Sequence, residues 1–185
     1  MHDDALPGHR MDDTRISALV ATLAAGGPAA DAAALELRDF GPAVVPALAA
    51  AYETTGRWQG RAALLFHAIR YARTSDAAVA LGKRALTDRA TIVRYRACGL
   101  LAYSLRRDVL PDLRPLLAHA DAPTRADAAA AITAIERGNH HRFIDRDGSG
   151  NSFWHVNPGD TPDEDDDAPE PWWRRSWRLL TGRSS

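Results

Sequence analysis

From residue 14 to residue 137 the chain is a succession of short amphipathic segments, each closed by Gly, Pro, Asp or Thr, with hardly a run of β-branched residues between them. The pattern predicts helices over 14–24, 30–40, 44–54, 58–73, 76–87, 91–105, 109–118 and 124–137. Helices joined by turns this short are antiparallel neighbours, so the expectation is four hairpins. Gly26-Gly27-Pro28 and Phe40-Gly41-Pro42 stop helices because each joins a residue that tolerates left-handed backbone to one that cannot continue a helix. Ser75, Asp88 or Thr91, and Asp121 stand where N-caps belong. Ile16, Leu19, Val20 and Leu23 mark one apolar stripe, and Leu64, Leu65, Ile69 and Ala72 another. A single hairpin cannot bury such faces, which calls for hairpins stacked on one another.

At 185 residues there is room for one folded unit and a tail. Lys and Arg total 23 against 24 Asp and Glu, so no global field draws the chain to nucleic acid or to an anionic membrane, and neither is the expected partner. Lys83 is the one lysine among many arginines and alanine dominates the apolar residues, a bias that points to a GC-rich bacterial genome. The single cysteine, Cys98, excludes an intrachain disulfide and a multi-cysteine zinc site. It lies in an apolar helical run and reads as a buried structural thiol. No apolar stretch approaches the ~20 residues of a membrane span. Met1-His2-Asp3-Asp4 lacks the basic start and apolar core of a signal peptide, so the expected location is the cytoplasm.

Self-comparison supports stacking. Arg94 and Arg125 occupy equivalent places 31 residues apart, each followed by Ala at the third position (Ala97, Ala128) and a large aliphatic at the seventh (Leu101, Ile132). Leu110-Pro111, Leu116-Leu117, a turn with Asp121 and Pro123, and then Arg125 to Ile132 resemble a HEAT repeat. The stretch from Ala85 to Asp88 and on to Ile92-Val93-Arg94 and Ala97 repeats the pattern without the proline, and a weaker copy runs from Pro46 to Leu64. The resemblance implies a proline that bends the first helix of a repeat, and an aspartate and an arginine near the turn that link neighbouring repeats. It implies an all-α fold, a right-handed α-solenoid of about four hairpins. The expected organisation is a flexible N-terminus over 1–13, the repeats over 14–138, a small β-hairpin over 139–157, an acidic Pro-rich linker over 158–171 and a Trp/Arg amphipathic segment over 172–185.

Arg61, Arg94, Arg96 and Arg125 fall at or near the starts of second helices, the surface that lines the concave face of a solenoid. If Arg94 and Arg125 are linking arginines, Arg57, Arg61 and Arg96 remain for a partner, together with Trp58. HEAT-like alkylation-repair DNA glycosylases offer an enzyme analogy, but their site needs aromatics around a carboxylate in a cationic groove, and only Trp58 answers to that here.

In the segment from Phe143 to Asn151, Asp145, Asp147, Ser149 and Gly150 match the first half of an EF-hand calcium loop. The second half fails, since Val156 stands where the bidentate glutamate belongs and Phe153 where a polar residue bridges through water. Two runs rich in Phe, Ile, Trp and Val around Gly148-Ser149-Gly150-Asn151 favour a β-hairpin docked on the last helices, with Trp154 available to a partner. No metal is expected, and Asp145, Asp147 and Ser149 form the calcium alternative. His140, His141 and His155 lack the spacing of a metal motif, and the first two suit the end of a helix. Beyond residue 157 the prolines and the run Asp163-Glu164-Asp165-Asp166-Asp167 read as a self-repelling linker. On a helix Trp173, Trp177 and Leu180 would share a face, which suits docking on the protein itself or on a partner.

No Gly-rich phosphate loop and no nucleophile motif is present, so no cofactor and no catalytic residue is expected. The functional expectation is a non-catalytic protein-protein interaction scaffold. Its concrete version is a bacterial immunity protein that neutralises a toxin. The alternative is a HEAT-like enzyme or nucleic-acid-binding protein using an Arg-lined concave face.

Overall fold

The computed structural model describes residues 7–158 and residue 160. Among them the protein is all-α, with eight α-helices and no strand. They are α1 (Pro7–Ala25), α2 (Pro28–Asp39), α3 (Val45–Thr54), α4 (Trp58–Ala68), α5 (Asp76–Ala85), α6 (Thr91–Ser104), α7 (Leu110–Leu113) and α8 (Ala122–Arg137). α1 starts at Pro7, inside the stretch expected to be a flexible N-terminus. The helix expected over 109–118 is instead a 3-10 turn, the four-residue α7, and the 3-10 segment Arg114–Ala118. Pro115 lacks the N–H that a continuous α-helix would use there, whereas Pro111 sits in a first turn, where proline is tolerated.

The helices fall into two rows. α1, α4, α6 and α8 pack side by side in that order, while α3 packs against α5. Across the rows, α3 lies on α4, α5 on α6, and α7 with its 3-10 extension on α8; α2 covers α1. Leu48, Leu64, Leu65, Leu100, Leu101 and Leu113 are fully enclosed between the rows, and a residue of this kind contributes roughly 1.5–3 kcal/mol by leaving water. The stops act as the sequence implies. Ser75 accepts the Ala78 N–H at the head of α5, and Gly138 closes α8 in the left-handed conformation at φ 67°.

α6 is the exception to amphipathic patterning. Every residue from Ala97 to Ser104 is buried, so the helix has no solvent face along its second half. The side that α4, α5 and α8 leave open is covered by residues 140–158 and Asp160, with Phe143 and Trp154 over Gly99 and Asp160 on the Tyr103 hydroxyl.

The expected β-hairpin over 139–157 is not what forms. After Gly138 the chain makes a 3-10 turn, His140–Phe143, where Asn139 Oδ1 accepts the His141 N–H at 2.9 Å. It then closes a tight loop at 145–150 and returns as extended chain without a partner strand. Side chains take the ladder's place. Trp154 N–H donates to His141 Nδ1 at 2.9 Å, His140 Nε2 lies 2.9 Å from the Trp154 carbonyl, and the Val156 and Asn157 N–H groups donate to Asp160 Oδ2 at 2.9 and 2.8 Å. These bonds take up part of the strap's backbone in place of a sheet ladder.

Candidate functional site

Two rungs join the hairpins from within. Arg61 at the head of α4 is 7% exposed and grips Asp88 with two parallel bonds, Nε to Oδ2 at 2.6 Å and Nη2 to Oδ1 at 3.0 Å. Its remaining nitrogen donates to the Thr55 and Gly56 carbonyls. Arg94 at the head of α6 repeats this one hairpin on, with Nη2 to Asp121 Oδ2 at 2.8 Å, Nη1 to the Asp88 carbonyl at 2.7 Å and Nε to Thr124 at 2.9 Å. Both the arginines and the aspartates recur after 33 residues. Arg125 keeps the carbonyl half of the motif, bonding to His119 and Ala120 oxygens, but it is exposed and no carboxylate reaches it among the described residues. Burial alone would push the Asp88 carboxyl up; the Arg61 guanidinium, the Ala90 N–H and the Tyr52 hydroxyl together outweigh it and hold the group at about 2. Asp121 is held down to about 2 by its bond from Thr124, with Arg94 and Thr91 adding to it.

Arg61 therefore belongs to the interior and not to a partner surface. Its place could have been read from Asp88, which stands 27 residues after it just as Asp121 stands 27 after Arg94.

The candidate surface that remains spans α4 and α6. Arg96 lies over the Phe66 ring at 4.9 Å and beside Tyr95 at 5.5 Å, which bridges the two helices by cation-π contact. Phe66 is 50% exposed, Ile92 37% and Trp58 46%, and Arg57 is exposed beside Trp58. Phe66 and Ile92 were not singled out from sequence. Each sits on the polar side of its helix pattern, and that mismatch was the available signal.

Tyr95 continues the aromatic series inward. It stacks on Phe143 at 5.4 Å, and Phe143 meets Trp154 at 5.5 Å. This packing depends on Gly99, where a Cβ would come within 3.0 Å of Phe143 Cε1 and 3.3 Å of Trp154 Cη2. Trp154 is thus a partly buried anchor of the strap on α6. The strap's other end is polar. Tyr103 donates its hydroxyl to Asp160 at 3.0 Å, Asn157 Nδ2 donates to the Tyr103 oxygen and to the Arg70 carbonyl, and Arg73 reaches Asp160, His140 Nδ1 and the Tyr103 carbonyl. Because Arg73 can only donate, His140 Nδ1 accepts and its Nε2–H faces the Trp154 carbonyl, which fixes the neutral tautomer. Burial first, with His141 and Arg73 adding to it, holds the His140 pKa below its ordinary value. His140 and His141 are interior fasteners of the strap and not charges at a helix end.

Asp145 accepts from Ser149 Oγ at 2.7 Å and from Gly150 N–H at 2.9 Å, so it organises the 145–150 loop. Asp147 is exposed and accepts the Ser149 N–H. Asp145 and Ser149 are thus brought together and Asp147 points to the same turn from outside. No group of three or more His, Cys, Asp or Glu side chains suited to a metal ion occurs among the described residues. Trp173 and Trp177 lie outside the described residues. No helix among the described residues is long and apolar enough to cross a membrane.

The chain matches no protein-family model, no curated protein and no solved structure.

Proposed function

We propose that the chain is a HEAT-like right-handed α-solenoid that acts as a non-catalytic scaffold for another protein. The observation that carries this reading is the rung geometry: Arg61–Asp88 and Arg94–Asp121 repeat at the same interval and join successive hairpins, which is how stacked repeats become one continuous support. The row α1, α4, α6, α8 supplies the ridged side. On it Phe66, Ile92, Trp58 and Arg96 combine exposed apolar area with an arginine, the residue types that dominate binding energy at protein interfaces. Small size, repeat architecture and the Arg- and Ala-rich composition support the concrete version, an immunity protein that occupies a bacterial toxin. For the alternative of a nucleic-acid or enzyme groove, Arg61 is held inside, which leaves Arg57, Arg96 and the exposed Arg125 of the arginines expected on this side.

Photo-crosslinking tests the surface. A benzoylphenylalanine placed at Phe66 is expected to trap a protein in cells of the source, and the same group at Thr133, exposed on α8, is expected to trap far less. Equal trapping from both positions, or none from Phe66, would remove α4 and α6 from the proposed interface.

A further inference from the structure

Arg96 is held by aromatic rings, and among the described residues by nothing else. Its guanidinium lies over Phe66 at 4.9 Å and near Tyr95 at 5.5 Å, with no hydrogen bond and no ion pair to any described residue. Arg61, Arg94 and Arg125, at the heads of α4, α6 and α8, all donate to carbonyls of the protein itself. A ring attracts the charge but offers no lone pair, so the donors of the Arg96 fork stay open to a carboxylate, which matches that fork in two parallel bonds.

The charges on this face have one sign. α4 and α6 contain no Asp or Glu. The carboxylates at their heads and on α8 are taken, Asp88 by Arg61, Asp121 by Arg94 and Asp127 by Arg146. Arg57 and Arg89 are exposed near the head of α4, where Arg89 donates to the Gly56 carbonyl. With a net charge of −1 for the whole chain, this is a local excess of positive charge. Ile92 stands one helical turn before Arg96 and, with Phe66, sets exposed apolar area beside the open fork. Resting on the reading of this face as a protein-binding surface, we propose that its partner presents an acidic segment in which an Asp or Glu between large apolar side chains enters the Arg96 fork while its neighbours cover Phe66 and Ile92. Nucleic acid fits less well, because bases stack on open ring faces, and here Tyr95 is already stacked on Phe143 while Phe66 already carries Arg96.

Short random peptides displayed on phage and selected on the full protein test this chemistry without a known partner. Selected peptides are expected to be dominated by Asp or Glu beside Leu, Ile or Phe. Each should bind about tenfold more weakly when its acid is replaced by Asn or Gln, and equally so to an Arg96→Gln protein that melts like wild type. Because the first comparison changes only the peptide, it stands even for an Arg96 variant that fails to fold. Selection on Arg96→Glu protein should turn the preference to Lys and Arg. Peptides that bind Arg96→Gln protein undiminished but lose Phe66→Ser protein would overturn the carboxylate partner and leave the protein-binding reading intact. Peptides indifferent to both substitutions, or a selection without acidic residues, would overturn it too. So would oligothymidylate that binds more tightly than any selected peptide and is lost with Arg96→Gln, which would make the occupant a nucleic acid.

Discussion

Replacing Asp88 with asparagine isolates the charge of one rung, since shape is kept and Arg61 is left without its counter-ion. The Asp88 side chain is 5% exposed although the residue as a whole is only half-buried, so solvent screening takes part of the effect and the full pKa shift sets an upper bound on it. A carboxyl whose pKa falls from 3.8 to about 2 on folding contributes ~2.5 kcal/mol at neutral pH. In a chain of this size that is a drop in melting temperature of about 5–10 °C. The sign follows from the lowered pKa. The contribution is complete above the unfolded value near 4 and disappears as pH falls from there to about 2. Urea unfolding of wild type and Asp88→Asn at several pH values is the assay. The gap between the two curves should be widest at pH 6–7 and should close as pH approaches 2. A gap under about 0.5 kcal/mol at pH 7, the range of an ordinary surface substitution, would refute the rung as an energetic element, as would a gap that does not change with pH.

Arg94→Ala should destabilise far more than Arg125→Ala, because the first strips a buried guanidinium from Asp121, Thr124 and the Asp88 carbonyl while the second releases only two carbonyls from an exposed side chain; thermal melts giving equal shifts would count against the assignment. Phe143→Ala, at a residue 1% exposed, should cost ~3–5 kcal/mol in denaturant unfolding, whereas Phe153→Ala, at a ring 45% exposed, should cost well under half of that. Gly99→Val should loosen the strap, seen as faster hydrogen exchange at Trp154 and Val156 while α3 and α5 keep their protection. Both His140 and His67 have folded pKa values below the unfolded value of 6.5, so stability should fall as pH drops through 6.5, and the double variant His67→Gln/His140→Gln should flatten that part of the profile.

Helices and their stops were legible because local chemistry decides them: Gly26-Gly27-Pro28 and Ser75 act through backbone conformation and capping, which need no tertiary partner. The rungs were half legible. Arg94 was recognisable from the repeat pattern, yet Arg61 went unrecognised and Arg125 was overvalued, because a rung exists only if the carboxylate of the following repeat arrives, and after Arg125 the chain turns into the strap. The strap itself was misread as a hairpin. Two runs rich in Phe, Ile, Trp and Val look like two strands, but what settles the conformation is the set of distant side chains that take the backbone bonds, His141 and Asp160 as acceptors of N–H groups and His140 as donor to a carbonyl. Ala97 to Ser104 has no polar face, and a helix apolar all round must be covered by something, here the strap.

The scaffold reading stands or falls on a partner that recognises α4 and α6. Quantitative affinity purification from cells of the source, comparing wild type with Phe66→Glu/Arg96→Glu, measures this directly once both proteins are shown to melt alike. One protein recovered in near-stoichiometric amount with wild type and lost with the variant is the predicted result. The same recovery with both proteins, or no stoichiometric companion for wild type, would contradict the account.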